Sequence, residues 1–540
     1  MYKDSAGKNV LEIDARLGAI TRVNRELEVT EAQFFNAIKA YRLSDSLLQF
    51  ANISKNIFDN IYPADWHRMG RGGVQHPSGV FLTQFSVEYL VSAMILSGSN
   101  DWKKETLNLK DNILGLFNIY QNGLIQPIPS NTGLLNFLIP MYFQQFVSQA
   151  DPKSLCTRQW YIFYKLNSKF EDKSFENLNQ VFKTDTSLSI QEYTKLCFII
   201  FAYSSASPRF NIGELDETNS TNFGDVFNKE KVGAFLKLVS TDYEGFRKLD
   251  KELNGELDPK YTKTRFNPLW IKPIVKLNEN DFLAPSITAY ITSTFKGLFW
   301  WFDAHFRRQS LKKVNEFRSY FGFLFEEYVG DVLKDVYSNE NVKSQISYGT
   351  KKNNGLFFDW IVEAKEKIFL FEVKSYQFPL EVLQKGNPEQ IENEVLNKII
   401  KTIIQMYKRV GDIEKFEELK QFRGKNLVPI AVFYDIPLIS TALYKDNILR
   451  VLDKLEIKHP NIKAFKYYFI SIEELENYCF ASKRVDIDYL LEEANKNART
   501  GFMAELSKVC EDGDYERNSI LDRSFDEYCV EVGAQNDSNL

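Results

Sequence analysis

From about residue 11 to residue 253, apolar side chains return every three or four positions in five stretches: 31–53, 80–96, 108–120, 158–169 and 189–204. That spacing lays an apolar stripe along one side of a helix, so the pattern predicts a mainly helical region. The period breaks at Tyr62-Pro63-Ala64-Asp65, at Gln126-Pro127-Ile128-Pro129 and at Ser207-Pro208, where proline and small polar residues end helices. Aromatic residues make up 14% of the chain, a load that favours packing these helices as one or two bundles.

The pattern changes at 254–264, NGELDPKYTKT, a polar, turn-rich stretch that reads as a boundary. Beyond it, 270–277 and 281–284 predict a hairpin about Asn278-Glu279-Asn280, and 287–306 predicts one helix rich in Phe and Trp. Phe317, Phe321, Leu324, Phe325, Tyr328 and Val332 mark the buried stripe of a helix over 317–336. Two apolar runs, 357–362 and 368–373, flank a short polar break and predict an antiparallel hairpin. A polar loop (377–389), a helix (391–410), a strand (426–435), a helix (440–455), a strand (466–470) and a helix capped by Ser471 follow. The α-β-β-β-α-β order predicts an α/β unit, a mixed sheet flanked by helices. The chain thus divides into a helical region, 1–258, an α/β region, 259–480, and an acidic helical extension with a frayed tail, 481–540.

Within the second hairpin, Asp359, Glu372 and Lys374 stand where buried strands seldom tolerate charge. Glu372 and Lys374 are two apart and share a face, while Phe371 and Val373 take the other, and the register brings Asp359 near Glu372. Burying such groups costs several kcal/mol per ion unless they are paired or bind a metal. Two carboxylates that converge on a hard divalent cation, leaving its other positions to water and phosphate oxygens, make a Mg²⁺ site suited to phosphoryl transfer. Lys374 beside them could hold or help deprotonate an attacking water. The structural alternative is a salt bridge between Lys374 and a carboxylate.

Asp359, twelve intervening residues and then Glu372-Val373-Lys374 resemble the PD-(D/E)XK nuclease superfamily, with Phe358 where that pattern has proline. The resemblance covers about a third of the chain. It implies a restriction-endonuclease-like core, Mg²⁺ with Mn²⁺ as an alternative, and phosphodiester hydrolysis with Asp359 and Glu372 as metal ligands and Lys374 as a catalytic residue. It also implies a metal-completing role for Glu326 on the preceding helix, and a site-orienting role for Gln405 on the following one. Here Gln405 is accompanied by Tyr407, which departs from the Gln-x-x-x-Tyr spacing of some families. Taken alone, Glu326 reads equally as a partly exposed helix carboxylate with Glu327 as its solvent-facing neighbour, and Gln405 as a buried amide needing a partner.

A formal net charge of −5 confines any nucleic-acid contact to local patches. The candidates are Arg307, Arg308, Lys312 and Lys313, near the aromatics of 295–302, and Lys398 and Lys401 on the helix that also carries Lys408 and Arg409. The first group reads equally as helix-end cations complementing a dipole. The segment 66–76, WHRMGRGGVQH, offers glycines and two arginines to a phosphate, yet lacks the Lys-Ser/Thr ending of a P-loop and reads equally as a surface loop. Five cysteines without CxxC spacing fit a reducing cytosol and no structural zinc. With no leader-like or membrane-spanning run, the expectation is a soluble cytoplasmic protein that makes no membrane contact. The charged cluster and the resemblance together predict a metal-dependent nuclease, and the resemblance implies DNA in preference to RNA as substrate and, by analogy, a setting such as bacterial defence or restriction. The helical region would be a sensing or specificity module, or the contact for a second copy or a partner protein. The alternative is a non-catalytic nucleic-acid- or protein-binding protein that keeps a nuclease-like fold.

Overall fold

The computed structural model describes residues 31–59, 81–101, 152–213, 228–255, 266–350, 353–364, 367–377, 388–434, 468–482, 485–496 and 520–532, with residues 61, 62 and 104 and strand segments at 2–3, 9–10, 67–68 and 73–75. The expected helices 108–120 and 440–455, the loop beyond Gln377 and the tail after Val532 lie outside the described residues.

The expectations for the N-terminal region need three corrections, two to helices and one to a loop. The run 31–53 forms two helices, Glu31–Lys39 and Leu43–Phe58, because Arg42 takes an extended conformation and bridges to Ser99. The run 80–96 opens as a strand, Phe81–Thr83, and turns helical at Gln84–Ser97, where Thr83 and Ser86 exchange capping hydrogen bonds. In the glycine-rich segment, His67–Arg68 pairs antiparallel with Gly73–Gln75, which pairs in turn with Phe81–Thr83, so it is strand-bearing and not a plain loop. Further on, helix α1 (Pro152–Trp160) runs into a π-helical stretch, Tyr161–Leu166, and ends at Lys169. Ser189 and Glu192 form the capping box of helix Ile190–Ala206.

The expected hairpin of Ile274–Lys276 and Asp281–Leu283 is present, and Arg209–Asn211 and Ser240–Thr241 extend it to four strands, so elements on both sides of residue 258 share one sheet. The single helix expected over 287–306 is two, Ile287–Phe295 and Gly297–Gln309. The chain turns at Lys296, and Gly297 lies so close to the Tyr193 hydroxyl that an added β-carbon would stand 3.0 Å from it.

The second half is built around a five-stranded sheet preceded by helix α2 (Leu311–Tyr337). Its strands are β1 (Val342–Ser344), β2 (Trp360–Glu363), β3 (Ile368–Lys374), β4 (Leu427–Phe433) and β5 (Tyr468–Ser471), in that spatial order. The β1–β2 and β2–β3 pairs are antiparallel; β3–β4 and β4–β5 are parallel. Strand β2 starts at Trp360, leaving Phe357, Phe358 and Asp359 ahead of it, and a small hairpin, Ser347–Thr350 with Asn353–Leu356, is inserted between β1 and β2. Helix α3 (Pro388–Asp412) joins β3 to β4, and helix α4 (Ile472–Ala481) follows β5.

Alternation along the strands fills both faces. Trp360, Val362, Phe369, Phe371, Val373, Ile430, Val432 and Ile470 join the core that holds α2 and α4. Ile361, Leu370, Ala431, Phe433 and Phe469 face Ile399, Ile403 and Met406 of α3. Buried on both sides, β3 and β4 read as nearly continuous apolar runs, as parallel strands do. Helix α5 (Ile520–Val532), in the acidic extension, packs on α1, where Lys153 Nζ lies 2.5 Å from Asp522 Oδ1, and its Tyr528 hydroxyl donates to the Thr194 carbonyl of helix Ile190–Ala206. Among the described residues no helix is long and apolar enough to cross a membrane.

Candidate metal centre

The charged residues of the hairpin meet where β2 begins and β3 ends, between α2 and α3. The register that sets Trp360 opposite Phe371 continues backwards to bring Asp359 beside Glu372 and Val373. The Asp359 carboxylate closes the ladder, accepting a 2.7 Å hydrogen bond from the Val373 amide, and its other oxygen accepts one of 3.0 Å from Gln345 Nε2. Both carboxylates are withdrawn from solvent, Asp359 to 8% and Glu372 to 1% exposure.

Glu372 and Lys374 point, as alternation requires, toward α3. Gln405 and Arg409, one turn apart on that helix, reach back to them. Lys374 Nζ donates to Glu372 Oε1 and, at 3.1 Å, to Gln405 Oε1. Arg409 Nη1 donates to Glu372 Oε2, with its guanidinium carbon 5.9 Å from the centre of the Phe358 ring. The bulky residue in the place of proline thus lies beneath a cation of the site.

Glu326 is brought in by packing between helix and strand. The Trp360 indole lies so tightly on α2 that a β-carbon at Gly330 would run into it, and its Nε1 donates to the Glu326 carbonyl at 2.8 Å. Burial raises the Glu326 carboxyl to about 7, helped by the charges of Asp359 and Glu327 and opposed by Lys374 and Arg409. Burial also raises Asp359, against the Val373 amide, Lys374 and Arg409. Burial lowers Lys374 and Arg409, and for both the charges of Asp359 and Glu326 work the other way. Asp359, Glu372, Lys374 and Arg409 therefore share one desolvated cluster, and Glu326, on the helix packed beside it, feels the charges of Asp359, Lys374 and Arg409.

The donor set suits a hard divalent ion, since carboxylate oxygens are what Mg²⁺ and Mn²⁺ take, and two protein cations already gather there. As the side chains stand, no group of three or more His, Cys, Asp or Glu among the described residues is drawn together closely enough to hold a metal. The contacts give a physical reason: Glu372 is turned onto Lys374 and Arg409.

The expected nucleic-acid residues divide into two groups. Arg307 is paired with Asp303 at 3.0 Å, Lys313 with Glu176, and Lys312 lies 3.8 Å from Glu316; Arg308 is exposed. Lys398 and Lys401 lie on α3, the helix that supplies Gln405; Lys401 is exposed and Lys398 sits 4.5 Å from the centre of the Tyr376 ring. Gln405 reaches Lys374 from this helix, as expected. The partner of Glu372 on the helix is Arg409, whose i+4 spacing from Gln405 was the available signal. Gln345 carried no signal of its own, being an isolated amide after a short strand. Comparison of the chain with protein-family models, with curated proteins and with solved structures found no match in any of the three.

Proposed function

We propose that the protein is a metal-dependent nuclease with a PD-(D/E)XK-like centre in a restriction-endonuclease-like core. The observation that carries this reading is the meeting of Asp359, Glu372 and Lys374 at one end of a mixed sheet, with Gln405 orienting the lysine and Glu326 on the helix against which Trp360 packs. Asp359 and Glu372 hold Mg²⁺, or Mn²⁺ in its place, and Glu326 completes the set. The bound ion would supply the Lewis acid that stabilises charge on the phosphate and on the leaving oxygen. Lys374, held by Gln405, orients the attacking water. Lys398 and Lys401 extend a cationic edge along α3 for the flanking phosphates of the substrate, DNA in preference to RNA. The helical region serves specificity or partner contacts, and bacterial defence or restriction is the setting that the family analogy offers.

One observation favours a second reading, a non-catalytic binding protein on the same fold: both oxygens of Glu372 are already taken by protein cations. Incubating the purified chain with plasmid, linear DNA and RNA, with Mg²⁺, Mn²⁺ or EDTA, separates the two. Cleavage that needs the ion supports the nuclease; no cleavage of any substrate with either ion, or equal cleavage in EDTA, refutes it.

A further inference from the structure

Glu372 is the most enclosed carboxylate of the centre, and neither of its oxygens is open. Lys374 takes Oε1 and Arg409 takes Oε2. The two cations are held differently. Lys374 lies two residues along the same strand and is tied to Gln405 at 3.1 Å, so its place belongs to the sheet. Arg409 reaches in from α3, resting on the face of Phe358, and its long side chain can withdraw by rotamer changes with the helix fixed.

A divalent ion coordinated by Glu372 would sit about 2.1 Å from a carboxylate oxygen. The guanidinium on that same carboxylate would then be a like charge within a few ångströms, in a site too dry to screen it. The charge count also favours exchange. Asp359, Glu372 and Glu326, when ionised, outnumber Lys374 and Arg409 by one, whereas a divalent ion together with Lys374 balances the three. We infer that Arg409 holds the metal's place on Glu372 and leaves it when a divalent cation binds, so that metal loading is a competition between the guanidinium and the ion. This rests on the metal-centre reading above and adds to it a residue that sets the ion affinity.

The test is calorimetric titration of Mn²⁺ into the full-length wild type and Arg409→Gln, with Asp359→Ala to show that the heat comes from this centre and near-ultraviolet circular dichroism to show that each variant is folded. The expected result is binding at least about tenfold tighter in Arg409→Gln, a difference of about 1.4 kcal/mol. Equal or weaker binding in a folded Arg409→Gln overturns the inference and leaves the metal centre standing. If that variant does not fold, a structure of the wild type soaked in Mn²⁺ decides. The guanidinium displaced from Glu372 supports the inference, and a guanidinium still bonded to Glu372 with the ion in place overturns it. A wild type that binds no Mn²⁺ removes the metal-centre reading itself, and this inference with it.

Discussion

Helix α2 touches two buried ion clusters, and they are built differently. Tyr328, two residues beyond Glu326, donates a 2.6 Å hydrogen bond to Glu476 of α4, and Arg158 of α1 meets the same carboxylate through two bonds of 2.6 Å. Arg158 and Glu476 are 2% and 3% exposed, and Glu473 stands 3.9 Å from the guanidinium. Burial opposes the Arg158 charge, but Glu476 outweighs it and keeps the guanidinium firmly ionised. The Arg158–Glu476 pair is matched in geometry and hydrogen bonding, although burial holds the Glu476 carboxyl above the usual carboxylate range and Glu473 adds a second carboxylate, and it ties the helical region to the α/β region. The centre at Asp359 and Glu372 is unmatched in another sense: both cations bond to Glu372, Asp359 accepts from the neutral Val373 amide and Gln345, and burial lifts the Glu326 carboxyl to about 7. A matched buried pair has its reason in structure, whereas an unmatched one is stable only at a cost that a bound ion would relieve.

The comparison can be broken at several points. The largest effect is expected at the carboxylates: Asp359→Ala and Glu372→Ala should abolish metal-dependent cleavage while circular dichroism stays native. Retained cleavage in either variant would count against the assignment. Next, Lys374→Met should slow cleavage by on the order of 10² to 10⁴, as lost electrostatic or proton-transfer help does. The fold should persist because Arg409 still neutralises Glu372; a collapse in melting temperature would instead make Lys374 structural. In the matched cluster, Arg158→Met should cost about 3–5 kcal/mol in urea unfolding by stranding Glu476, whatever the metal concentration.

A smaller effect concerns pH. The Glu326 carboxyl moves from 4.5 to about 7, so the folded chain keeps a proton that the unfolded chain has released. That contribution to stability is fully present below about pH 4.5 and is lost as pH rises through about 7. The metal-free protein should therefore be less stable at pH 8 than at pH 5 by about 2 kcal/mol, with Asp359 adding in the same direction. Glu326→Gln should flatten the profile; an unchanged profile would remove Glu326 from the cluster. Smallest of all, Lys398→Ala and Lys401→Ala should each reduce the salt slope of nucleic-acid binding by about one.

Part of the centre was legible because strands alternate and charges are costly inside them. Glu372 and Lys374 could be assigned to one face from their spacing alone, and Asp359 to the neighbouring strand from the two apolar runs. Asp359 itself lies just outside regular strand, in a place where its side chain and not its backbone completes the ladder, which a hydropathy pattern cannot show. Arg409 was visible only as one cation among several on α3. Its inward position follows from the i+4 relation to Gln405, the very spacing of Gln-x-x-x-Tyr, which the search for a tyrosine obscured by directing attention to Tyr407. The matched cluster was not legible at all: Arg158 and Glu476 are 318 residues apart, and nothing local to either marks a partner. The break at Lys296 escaped for a similar reason, since the close approach to Tyr193 that it serves is a tertiary contact.

The most direct measurement compares melting of the wild type, Asp359→Ala and Arg158→Met with and without Mn²⁺. At a hundredfold excess over its Kd, an ion bound only by the folded chain stabilises it by about 2.7 kcal/mol. The account predicts that Mn²⁺ raises the melting temperature of the wild type, raises that of Arg158→Met by a similar increment from a lower baseline, and leaves Asp359→Ala unmoved. A wild type indifferent to Mn²⁺, or an Asp359→Ala variant stabilised as much as the wild type, would contradict it.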